Sequence, residues 1–222
     1  MTAPEATPRK RRSPEERRLE IASAAARIGL AEGLERITLR RVAEDVGVRP
    51  GLISHYFPEV DGLVATAFAH AAETERADML APDTTRPPDE RVIALLDEVL
   101  SPASADFSRL WLNARIVSRY NALLRQSLAE QETLNRELLT ALIRTGVETG
   151  DFVCASPERS ALLILVLLDA ASTYANEDVT EVTALVGALL FETAERELGL
   201  APGALSARSA HLPPAAAPDP AS

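Results

Sequence analysis

Arg49, Ser54, His55 and Tyr56 fall within one eight-residue run. Their guanidinium, hydroxyl and imidazole groups match base edges and phosphate oxygens in a nucleic acid. Upstream, Thr38, Arg40 and Arg41 add a hydroxyl and two further guanidinium groups. Four consecutive cations, Arg9, Lys10, Arg11 and Arg12, can lie along phosphates or enter a minor groove.

Catalytic chemistry has little to stand on. The three histidines, His55, His70 and His211, show no HExxH or paired metal-ligand spacing. There is no P-loop, no GxGxxG and no GxSxG. A single cysteine, Cys154, excludes an intrachain disulfide and a Cys-rich metal site. The expectation is a protein that is not an enzyme and uses no cofactor.

The elements that must position these residues read as helices throughout. Residues 1–12 form a flexible basic arm. Ser13, Pro14 and Glu16 then give a strong helix start, and Gly33 ends that helix. Thr38 caps a short helix, LRRVAEDV, that Gly47 terminates. A second short helix runs from Pro50 to Phe57 and stops at Pro58. Longer helices are expected at 61–80, 90–100, 105–120, 122–149, 157–176 and 179–198. Residues 81–89 form a Pro-rich connection and 201–222 a disordered tail. No period-two alternation appears, so the fold class is all-α with about nine helices. The domains are a head at 13–60 and a larger helical body at 61–200.

The pair joined at Gly47, TLRRVAEDVGVRPGLISHYF, has the requirements of a helix-turn-helix. Ala43 is small where the second helix crosses the first. Gly47 tolerates positive φ in the turn. Val42, Val46, Val48 and Ile53 would supply the shared core. The second helix is then free to enter a major groove.

Net charge at first argues otherwise. The chain carries −10, a poor match to phosphate. The charge is segregated, however. Residues 1–65 hold 11 cations against 10 acids, a net of +1, and the remainder carries −11. The motif sits in the part that is not acidic. No apolar run is long enough to span a bilayer and no signal-peptide core is present, so a cytoplasmic protein without a membrane partner is expected.

The segment ITLRRVAEDVGVRPGLISHYFPEVDGLVATAF resembles the DNA-binding domain of the tetracycline-repressor (TetR) family, and GLISHYF is most similar to the betaine-regulon type within it. The resemblance covers residues 14–68 closely and the rest only in size and helical pattern. It implies a homodimeric, ligand-responsive transcription regulator, most often a repressor, bound to a palindromic double-stranded operator and released by a small molecule. Carried over residue by residue, the resemblance places the readers on Arg49 to Tyr56: Arg49 on a guanine or a phosphate, Pro50 and Gly51 for close approach, Leu52 on a thymine methyl, Ser54 and His55 on a base edge or a phosphate, and Tyr56 on a phosphate or in the core, with Phe57 in the core. It also implies that Thr38 offers its hydroxyl or amide to a phosphate while capping its helix. One departure stands out. Members often place a phosphate-binding Lys where this chain has Val60, between Glu59 and Asp61. Arg40, Arg41, Arg49 and the arm are the available substitutes.

The resemblance also implies an effector pocket among the middle helices and a dimer interface on the last two. SALLILVLLDAASTYA is apolar nearly all round, which demands burial on more than one side. The final helix carries its own apolar stripe. For the pocket, helical spacing gathers Phe107, Trp111 and Ser118 on one face, bordered by Arg115. Choline-sensing relatives would use an aromatic pair here. An inward guanidinium at Arg115 instead favours an anionic effector. Asp169 interrupts the most apolar helix and needs a partner, either a structural one such as Arg115 or Arg119 or a ligand. Thr173 follows it one turn later. A helical enzyme and a helical interaction module without DNA are the competing readings.

Overall fold

A computed structural model describes residues 13–79, 85–175 and 180–211. Arg9, Arg11 and Arg12 of the expected arm lie outside the described residues. Nine α-helices are present among those described, and no strand. They are α1 (Pro14–Glu32), α2 (Leu39–Val46), α3 (Pro50–Tyr56), α4 (Val60–Met79), α5 (Pro88–Leu100), α6 (Ala105–Val117), α7 (Ala122–Thr149), α8 (Pro157–Ala175) and α9 (Thr180–Glu197).

Local chemistry sets most ends. Ser13 Oγ accepts from Glu16 N–H at 3.1 Å while the Glu16 carboxylate accepts from Ser13 N–H at 2.7 Å, a reciprocal capping box. Thr38 Oγ1 accepts from Arg41 N–H at 3.0 Å. Gly47 ends α2 in the left-handed region at φ 73°, ψ 38°, where a Cβ would be strained. Two boundaries differ from the sequence reading by more than one residue. α5 begins at Pro88, two residues early, because a helix's first turn tolerates proline. α6 stops at Val117, since Asn121 takes over as the cap of α7 and accepts from Leu124 N–H at 2.9 Å.

The core forms two clusters. One joins Ile21, Ala25, Val42, Ala43, Ile53 and Phe57 of the head to Leu63, Ala67 and Phe68 of α4 and to Leu110, Ala114 and Leu124 of α6 and α7. The core therefore does not divide at residue 60: α4 belongs to the head as much as to the body. The second cluster fills the body between α5, α7, α8 and α9, around Leu96, Leu139, Ile143, Ile164, Leu190 and Phe191.

The tail is the clearest correction. Residues 201–211 are not a disordered extension of α9 but fold back on the body. Leu205 is fully buried. The Glu195 carboxylate accepts from the N–H groups of Gly203, Leu205 and Ser206 and from the Ser206 hydroxyl, at 2.8–3.0 Å. Asp97 on α5 accepts from Ser209 Oγ and Ala210 N–H. An Ala/Pro/Ser composition gave no hint of this, because the ordering groups are backbone amides. Residues beyond 211 lie outside the described part.

Candidate nucleic-acid interface and effector cavity

The head presents α3 to solvent by anchoring its opposite side. Ile53 is fully buried and Phe57 nearly so, with Val46 and Val48 packed alongside. Arg18 fixes the end of α3: its guanidinium donates to the Tyr56 carbonyl at 3.0 Å and lies 4.3 Å above the Phe57 ring. What remains outward is Arg49, Pro50, Gly51, Ser54 and His55, all exposed, with Leu52 half-buried. Tyr56 is half-buried against the core, its ring edge-on to His55 at 5.2 Å. The Ser54 hydroxyl donates to the Pro50 carbonyl at 3.3 Å. Arg49 makes no ion pair among the described residues.

Two of the expected phosphate contacts are engaged elsewhere. Arg40 pairs with Glu44 at 2.9 Å and Arg41 with Glu32 at 2.6 Å. Both pairs are exposed and therefore weak enough to exchange partners. Thr38 is exposed at the start of α2, and Val60 is 38% exposed at the start of α4 without a cation beside it.

The body encloses a cavity of about 420 Å³ between α4, α5, α6, α7 and α8. Its floor is buried and largely apolar, with Leu95, Val99 and Leu168. Its rim carries the exposed side chains Arg115, Arg136, Leu162, Val166 and Asp169. Of the six residues expected there, Trp111, Arg115, Asp169 and Thr173 line it. Phe107 and Ser118 do not. Phe107 packs against the head core, and Ser118 is buried where α6 ends, its hydroxyl donating to the Arg115 carbonyl. Ser118 keeps helical dihedrals as the C-cap of α6, and its hydroxyl turns back onto that helix's own last turn.

Arg115 does face the cavity, but its guanidinium is not free. It holds Glu132 with one nitrogen and Asp169 with the other, the latter at 2.6 Å. That removes the open donor on which the anionic effector was expected. Thr173 returns its hydroxyl to the Asp169 carbonyl at 2.9 Å.

Sequence reasoning missed Glu75, Arg76, Glu132, Asn135 and Arg136. Trp111 Nε1 donates to the Glu75 carboxylate at 2.6 Å, and the indole stands edge-on to Phe68 at 5.0 Å. Burial pushes the Glu75 carboxyl up to about 7, against the pull of the Trp111 N–H and of Arg76. Arg76 donates to Gln131 and Asn135 at 2.8 and 3.1 Å. A signal for Glu75 existed: it follows Phe68, Ala71 and Ala72 on the buried stripe of α4.

Cavity and head are physically joined. Asn113, two residues from Trp111, accepts from Leu34 N–H at 2.8 Å and donates to Glu35 at 2.9 Å. Leu34 lies in the turn between α1 and α2. Among the described residues, no group of three or more His, Cys, Asp or Glu side chains could hold a metal ion, and no helix is long and apolar enough to cross a membrane.

No family model matches the chain. The HTH-type transcriptional regulator PksA of Bacillus subtilis is 35% identical over 89 residues, 39% of this chain; the match spans only 42% of that relative. A Rhodococcus sp. chain assigned to the TetR-family regulators superposes with a TM-score of 0.70 at 23% identity, covering 83% of this chain and 99% of that one. A TetR transcription regulator from Haloarcula marismortui gives 0.66 at 24%, covering 83% and 97%. FadR from Bacillus subtilis, in complex with stearoyl-CoA, gives 0.59 at 17%, covering 81% and 97%. Over nearly the whole length of those regulators, this chain has the fold of the TetR-type transcription regulators.

Proposed function

We propose that this protein is a TetR-family transcription regulator of the ligand-responsive kind, a cytoplasmic homodimer that represses from a palindromic operator and is released by a small molecule. The observation that carries the reading is α3. Its core side is pinned by Ile53, Phe57 and Arg18, and its outer side offers Arg49, Ser54 and His55. That is the arrangement a recognition helix needs to read a major groove. Pro50, Gly51, Leu52 and Tyr56 would make the close and apolar contacts around it. Thr38, Arg40 and the arm residues Arg9, Arg11 and Arg12 would hold phosphates, with Arg40 exchanging Glu44 for the backbone.

The dimer is supported by apolar surface left on the last two helices: Leu162, Val166, Leu185 and Leu189 are 44–60% exposed in one chain. The effector role is supported by the cavity. A neighbour of the same fold holds stearoyl-CoA, and here a space of about 420 Å³ borders α4, α6 and α7, the body helices that join the head core. A ligand that favours one position of these helices would change the spacing of the two heads, which must match half-sites about one DNA turn or a multiple apart.

Operator selection from random double-stranded DNA with the full chain tests this reading. A palindromic site should emerge, and Arg49→Ala with His55→Ala should weaken it at least tenfold while leaving the fold intact by circular dichroism. Recovery of no site, or equal binding by the variant, would overturn the assignment.

A further inference from the structure

Three carboxylates and three guanidinium groups border the cavity: Glu75, Glu132 and Asp169 against Arg76, Arg115 and Arg136. Their pairing is uneven. Arg115 is shared by Glu132 and Asp169, and Arg136 on the same rim balances the second carboxylate in charge. Arg76 ends on the neutral amide oxygens of Gln131 and Asn135. Glu75 receives the indole N–H of Trp111 and has no ion pair among the described residues. An anion that sought Arg115 would have to displace a carboxylate and then face another. A cation meets the reverse deeper in the cavity: the Glu75 carboxylate, which has no ion pair among the described residues, and the electron-rich ring of Trp111 beside it. Behind Glu75 the walls are apolar, through Met79, Leu95, Val99 and Leu165.

Building on the regulator reading above, we propose that the effector is a protonated amine on an apolar body, its ammonium seated against Glu75 beside Trp111 and its hydrocarbon part along α5 and α8. The charge state of the carboxylate agrees with this. Burial holds Glu75 near half-ionisation at neutral pH, and an adjacent cation would draw it fully into the charged form.

Trp111 is the sole tryptophan, so its emission reports on this site alone. The full chain is titrated at pH 8 with n-octylamine, octanoate and 1-octanol, matched in length and kept below micelle formation. n-Octylamine should give a saturable change with a Kd at least tenfold below those of the other two. Glu75→Gln should erase that preference while 1-octanol still binds. Equal or tighter binding of octanoate overturns the proposal, and so does the absence of saturation by n-octylamine. The wild-type ranking decides the matter even if the variant fails to fold. Because no DNA is involved, a failed operator selection with this ranking intact would sink the regulator reading and leave the amine site standing.

Discussion

A carboxylate on a helix is shaped by what it faces, and three residues show three outcomes. Asp169 takes Arg115. For Glu195, burial pushes the carboxyl up, but the amides of Ser206, Gly203 and Leu205 outweigh it and hold the group below the ordinary carboxylate range. Glu75 has only the indole N–H and Arg76 to offset its burial, and stays near 7. The consequence for stability has a definite sign. The folded chain binds the Glu75 proton more tightly than the unfolded chain, whose carboxyl sits at its ordinary 4.5. Stability is therefore fully present below about 4.5 and is lost as pH rises to about 7. Glu75→Gln should match the wild type at pH 4 and exceed it at pH 8 by roughly 3 kcal/mol at most, since each tenfold difference in proton affinity is worth about 1.4 kcal/mol. Urea midpoints at the two pH values measure this. A variant less stable than wild type at pH 8 would show that the carboxylate is stabilised by more than the contacts described.

At the scale of elements, two junctions bear most on the fold. α7 meets the segment after Gly150 where Phe152 crosses it. A Cβ on Gly146 would stand 2.1 Å from the Phe152 ring, which is buried and cannot turn away. Gly146→Ala should cost about 2 kcal/mol, the scale of an overpacked core, read from its denaturation midpoint. α6 meets the head through Asn113. Asn113→Ala leaves the part-buried Leu34 N–H without its acceptor, a loss of about 1–3 kcal/mol. Because Asn113 is two residues from Trp111, the same change should also weaken the release of DNA by any cavity ligand. Operator affinity with and without n-octylamine would measure it: an unchanged ratio means that coupling runs elsewhere, through α4.

For the whole molecule, charge and assembly decide the behaviour. The acidic surplus of −11 lies in residues 66–222, away from the motif, so on the proposed function DNA would be met by the heads alone. Binding should then be weak on non-specific DNA and fall steeply with salt, as contacts to phosphate release counterions. Electrophoretic shifts at 50 and 200 mM salt give the slope. Leu185 is 60% exposed on α9, and Leu185→Glu would place a charge in the apolar surface proposed as the dimer interface. Such a chain should sediment as a monomer and lose more than tenfold in operator affinity, since each head then binds its half-site alone. A dimer that persists would place the interface elsewhere.

The sequence by itself determined whatever depends on near neighbours in the chain. Ser13, Thr38 and Gly47 set helix ends through bonds and dihedrals within a few residues. Helical spacing put Val42, Ile53 and Phe57 inside and left Arg49 and His55 outside. The resemblance together with that spacing placed Trp111, Arg115, Asp169 and Thr173 at an effector pocket, along with Phe107 and Ser118, which lie outside the cavity. Only the tertiary structure decided how those groups are spent. Whether Arg115 is free depends on Glu132, 17 residues away, and on Asp169, 54 away. Whether the tail is ordered depends on Glu195 finding three backbone amides that no side-chain pattern reveals. Glu75 was legible as a carboxylate on a buried stripe, but its isolation was not. An ion pair joins whichever groups the fold brings within reach, and helical period constrains only the faces on which those groups lie.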